Sequence, residues 1–147
     1  MKSRRFRAVW VSAALLCGSS SWASAGESPE VAAGRDLFEQ HCELCHGAEG
    51  RGDGPLSEEL RVAPADLTKI SARRGGTFPE VEVREMIDGR RSVRAHGKSD
   101  MPIWGRAFGG GPAAGAAKEA EVKKKLDQLV AFLRSIQSSS PATVGSR

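Results

Sequence analysis

The chain contains no tyrosine, and beyond its first 25 positions it has only five aromatic side chains: Phe38, Phe78, Trp104, Phe108 and Phe132. So few large rings leave a domain of this length short of bulky apolar filling, which a buried planar group would complete. Cysteine is equally scarce, being limited to Cys17, Cys42 and Cys45. Cys17 falls in a removable leader, so no disulfide framework can be built from the two that remain. Excess charge is also missing. Lys2, Arg4, Arg5 and Arg7 account for the formal +4, and residues 26–147 carry 18 basic and 18 acidic side chains. A neutral domain offers no general reason to bind nucleic acid or an anionic membrane. The apolar run Ala8 to Cys17 is well short of the roughly 20 residues of a spanning helix.

That run comes after a basic start and precedes the small-residue site Ala23-Ser24-Ala25, the pattern of an export signal over residues 1–25. The bulky Leu16 disfavours a lipid-bearing role for Cys17. A mature chain starting near Gly26 is expected to form one domain to residue 137, with 138–147 a disordered small-residue tail. Its charges are unevenly spread. Residues 27–66 hold ten acids against three basic residues, 69–98 eight basic residues against four acids, and 100–147 seven against four. If the fold separates these segments, the molecule carries a dipole that orients it toward a charged partner.

What the chain does contain is Cys42-Glu43-Leu44-Cys45-His46. Two cysteines three apart lie on one helical turn, so both sulfurs can add to the vinyl groups of one haem while His46 turns its imidazole onto the iron. Without the histidine, zinc, a disulfide or thiol exchange would be equal candidates. Zinc would need two ligands beyond the cysteines, where only His96 and His41 could join His46, and a thiol oxidoreductase would put a strand before Cys42, where none is evident. One covalent c-type haem is therefore expected.

The sixth iron position decides between electron transfer and chemistry on a small ligand. Met101 is the leading candidate, because it lies in a polar stretch and precedes Pro102, which stiffens the backbone holding a weak ligand. A thioether suits both redox states of iron and raises the potential relative to a second histidine. His96 is the strongest rival and His41 a weaker one, while Met86 sits within a helical pattern where a core role suffices.

The pattern predicts helices throughout. The first runs from Pro29 to about Cys45, started by Ser28 and Pro29, with Val31, Gly34, Leu37 and Phe38 on one face. Gly47 to Gly54 must be a loop. Ser57 to Leu60 can form one turn, and Asp66 can cap the segment after it. A second helix spans Pro79 to Asp88, closed by Gly89, with Val83, Met86 and Ile87 inward. Gly89 to Trp104 reads as a ligand loop, and Gly109 to Gly115 as a flexible connection. The last helix, Lys118 to Gln137, carries Val122, Leu126, Leu129, Val130, Leu133 and Ile136 in one stripe with Phe132 beside it. Its natural partner is the first helix, with Gly34 allowing close approach and Phe38 packing near Phe132.

Gly34 and Phe38 ahead of the haem motif, Gly52-Asp53-Gly54-Pro55-Leu56 after it, and Met101-Pro102-Ile103-Trp104-Gly105 together resemble a class I cytochrome c, and the chain is similar to the small monohaem proteins exported by bacteria. The resemblance implies an all-α fold in which the first and last helices cross near a right angle. It also implies that the Pro55 carbonyl accepts a hydrogen bond from His46 and that Leu56 packs on the haem face. Arg73, Arg74 and Trp104 become candidates to donate to the haem propionates. Two features depart from the pattern: the Gly-Ala-rich stretch 109–117 and the basic cluster Arg90, Arg91, Arg94 and Lys98.

The expected function is electron transfer in a respiratory or dehydrogenase chain. The molecule would be periplasmic, with a redox-protein donor and acceptor, and either a free monomer or the electron-accepting subunit of an oxidoreductase. A five-coordinate haem enzyme is the competing class, and Met101-Pro102 argues against it.

Overall fold

Ser28 opens the first helix, its hydroxyl accepting from the Val31 amide at 3.3 Å with Pro29 in the first turn. The structure, a computed structural model, describes residues 26–89 and 101–138. Helix α1 covers Pro29–His41 and α2 covers Glu43–His46. Single 3-10 turns come next at Ser57–Glu59, Leu67–Lys69 and Ala72–Arg74. Then come α3 (Glu80–Asp88), α4 (Trp104–Ala107) and α5 (Ala116–Ser135). The fold is all-α, with no strand among the described residues. No described helix is long and apolar enough to cross a membrane. The leader 1–25, the cluster Arg90, Arg91, Arg94 and Lys98, the rival ligand His96 and the tail beyond Ser138 lie outside the described residues.

The core forms where α5 lies on α1. Val122, Leu126, Leu129, Val130, Phe132 and Leu133 are all buried, while Ile136, the last member of the expected stripe, is partly buried just past the end of the helix. Phe38 meets Phe132 with ring centroids 5.1 Å apart. Gly34 has no side chain for a physical reason: a Cβ there would collide with the Gln128 carbonyl oxygen and press on the Phe132 Cβ at 2.9 Å. The helices therefore approach backbone to backbone. Helix α3 adds Val83 and Ile87 to the core and is tied to α5 by Arg84, whose Nε donates to Asp127 at 2.7 Å.

Three expectations are corrected. The first helix breaks at Cys42, whose φ of −120° leaves the helical region, although its amide still donates to Phe38 at 2.8 Å. Met86 faces outward at 42 % exposure, because the apolar side chains this nine-residue helix buries are Val83 and Ile87, one turn apart, with Asp88 buried beside them. The Gly109 to Gly115 connection is pinned, since Gly110 donates to the Gly105 carbonyl at 2.9 Å and Gly111 donates to the Glu119 carboxylate at 2.8 Å.

The end of α5 is also tied down. The Gln137 side-chain amide donates to the carbonyls of Leu67 (2.8 Å) and Leu133 (2.7 Å), and its oxygen accepts from the Ser71 amide at 2.8 Å. Ser138, expected to begin a loose tail, donates through its amide to the Thr68 carbonyl at 2.9 Å.

Candidate haem-attachment site

Cys42 ends α1 and starts α2, and its carbonyl accepts from the amides of Cys45 (3.1 Å) and His46 (2.8 Å). One turn thus holds both thiols and the imidazole, and both thiols are free. Burial pushes the Cys42 thiol up to about 12, with the neighbouring Cys45 adding to the effect. A thiol held protonated in this way is the opposite of the low-pKa nucleophile used by thiol oxidoreductases.

The glycine-rich loop lies against this turn. Gly47 ends α2 at φ +80°, Gly52 donates to the His46 carbonyl at 2.8 Å, and Leu56 donates to that of Leu44 at 3.0 Å. A Cβ on Gly54 would stand 2.6 Å from the Leu44 oxygen. The loop therefore satisfies carbonyls that a four-residue helix leaves open.

The hydrogen bond expected from Pro55 is made elsewhere. His46 Nδ1 lies 3.1 Å from the carbonyl oxygen of Ala65, so the Ala65 carbonyl is its acceptor. Gly52 makes this approach feasible: at φ +84°, a side chain on it would run into the Pro64 carbonyl. With Nδ1–H donating to Ala65, the lone pair of His46 is on Nε2, the nitrogen left for a metal. Burial lowers the His46 pKa and the Ala65 contact partly restores it, which keeps the ring neutral as a ligand must be. A backbone acceptor leaves no mark on residue identity; its one signal is the second proline, Pro64, beyond the first.

Met101 is partly buried against the same core as Cys42 and Trp104. Just after it, the Ile103 side chain covers Gly89, and Gly105 fits against Asp88, where a Cβ would strike the carboxylate. The Met101 segment is thereby held against the end of α3. Arg73 donates to the Asp66 carbonyl at 2.9 Å and Arg74 pairs with Glu82 at 2.6 Å, so both propionate candidates already have protein partners. The ring of His41, the weaker rival ligand, packs against Trp104 and Phe108. Among the described residues no group of three or more His, Cys, Asp or Glu side chains is placed to hold a metal ion.

The cytochrome c family model matches residues 31–137. The chain belongs to the cytochrome c family. No match was found among curated proteins or among solved structures. Cytochrome c domains bind haem covalently and transfer electrons through it. The residues present fit that group: two free thiols three apart, and a neutral imidazole fixed through Nδ1 on the adjoining position.

Proposed function

We propose that this cytochrome c is a class I monohaem carrier, exported by the signal at residues 1–25, with its haem domain at 26–137 and a short tail at 138–147. It works in the periplasm as an electron shuttle between a donor and an acceptor protein, not as an enzyme. Haem supplies an iron that cycles between ferric and ferrous states without bond-making to a substrate. Cys42 and Cys45 would hold the macrocycle as thioethers, and His46 and Met101 would supply the ligands to its iron. Leu56, 39 % exposed and hydrogen-bonded through its amide to the motif, would pack on the haem together with Pro55 and Trp104.

The observation that carries this reading is the His46 to Ala65 hydrogen bond beside two unbridged thiols, since it fixes the tautomer and raises the basicity of an iron ligand. One motif means one haem. Met101, on a proline-stiffened segment partly buried against the core, would close the sixth iron position and so favours outer-sphere transfer over small-molecule chemistry.

Protein made in a host that attaches haem should show a reduced-minus-oxidised spectrum of c type, with pigment that stays with the protein in acidified organic solvent. Its oxidised form should carry a sulfur-to-iron charge-transfer band, which Met101→Ala abolishes while lowering the potential. Carbon monoxide should bind the reduced wild type slowly at neutral pH. Rapid binding would instead indicate an open iron and the enzyme class.

A further inference from the structure

His41 precedes the first attachment cysteine, and its ring sits 5.2 Å from that of Trp104 and 5.4 Å from that of Phe108, which are themselves 5.5 Å apart. Three rings at these separations and tilts form a mutual aromatic contact. Its members come from three places: the last residue of α1, the first residue of α4, and the residue that ends α4. Phe108 is buried and Lys125 of α5 lies over its ring, 5.3 Å from the centroid. The cluster is therefore backed by the final helix.

Trp104 is three residues from Met101, and His41 is one residue from Cys42. A single side chain thus joins the end of the molecule that attaches the haem to the segment proposed to bear the distal ligand. On the other flank that segment is held through Ile103 against Gly89 and Gly105 against Asp88. From α1, the aromatic contact to this cluster is the ring of His41. We infer that His41 is a positioning residue: acting through Trp104, it keeps the Met101 segment closed against the iron. The inference rests on the Met101 ligation proposed above.

The role needs a flat ring in that place, not a proton or a charge. Opening the Met101 segment would separate Trp104 from His41, so removing the ring favours the open state by about three- to tenfold. An external ligand reads this directly, because it reaches ferric iron only when the methionine is displaced.

Imidazole titration of the oxidised holoprotein, monitored by the shift of the main haem absorption band, which every variant retains, supplies the test. His41→Ala should bind imidazole about three- to tenfold more tightly than wild type, and His41→Phe should stay within about twofold of wild type. If His41→Ala does not accumulate as holoprotein, His41→Leu, which keeps bulk but lacks the ring, carries the same expectation. An affinity unchanged in the ring-deleted variant, or a shift of equal size in His41→Phe, overturns the proposal. Met101→Ala separates the two readings. If wild type binds imidazole as tightly as Met101→Ala, the Met101 assignment fails and the role of His41 falls with it. If Met101→Ala binds more tightly than wild type while His41→Ala does not, the role of His41 alone is refuted.

Discussion

Between α1 and α5 the contacts are those of apolar side chains around a single backbone approach at Gly34, whereas around Cys42 to His46 they are backbone on backbone throughout. The first region packs Phe38, Leu126, Leu129, Phe132 and Leu133 into one apolar layer. The second arranges carbonyls and amides of the motif, the glycine loop and Ala65, with Gly52 and Gly54 as the places where chains touch. Apolar burial is non-directional and sets how firmly the domain holds together. Hydrogen bonds to fixed carbonyls are directional and set how one imidazole is aimed. Stability and iron chemistry are therefore addressed by different residues, and mutations should separate them.

The severest break comes from removing the attached group altogether. The double change Cys42→Ala and Cys45→Ala should yield colourless protein that melts without a sharp transition in circular dichroism, because five aromatic rings and the packing of α1 and α3 on α5 leave the core incomplete. Next in size is Phe132→Ala, expected to cost about 3–5 kcal/mol in chemical denaturation while leaving the charge-transfer band of the holoprotein in place. Gly52→Ala should reverse that pattern in part. Forcing a Cβ at positive φ costs about 1–3 kcal/mol, and pushing Pro64 away withdraws the Ala65 acceptor. His46 then becomes a poorer electron donor, so the reduction potential should rise in voltammetry.

The smallest effect concerns the link between α3 and α5. Burial would raise the Asp127 carboxyl, but hydrogen bonds from Lys123 and Arg84 outweigh it and hold it below the ordinary carboxylate range. A depressed folded value means stabilisation that is present above the normal carboxylate pKa and disappears as pH falls through the folded one. Asp127→Asn should cost about 0.5 kcal/mol at neutral pH and flatten the acid limb of a stability profile, without moving the spectrum.

The two regions also differ in how far residue order reveals them. The α5 stripe, Gly34 as a point of close approach, Phe38 against Phe132 and the Gly89 stop are all legible, because periodicity and the missing Cβ are properties of residue type. Met86 is misplaced by the pattern because three- and four-residue spacing marks a broad face, and this nine-residue helix buries the edge made by Val83, Ile87 and Asp88. The Cys42-to-His46 motif is legible as chemistry, yet the expected acceptor for His46 is Pro55 and the observed one is Ala65. Any residue can offer a carbonyl, so what selects Ala65 is the path of the chain past Gly52. The ring contacts of His41 are hidden for a similar reason, since they join positions 41, 104 and 108 only after folding.

Gln137 brings one further consequence. Its amide clasps the Leu67 carbonyl two residues beyond Ala65, and its oxygen receives the Ser71 amide. A chain cut off at Ile136 would keep every sulfur, the imidazole and the whole hydrophobic stripe, yet it would lose the latch that fastens the histidine's supporting loop to the final helix. During synthesis Gln137 emerges later than every residue it grips, so the loop beneath the proximal ring is fastened only once α5 has been made in full.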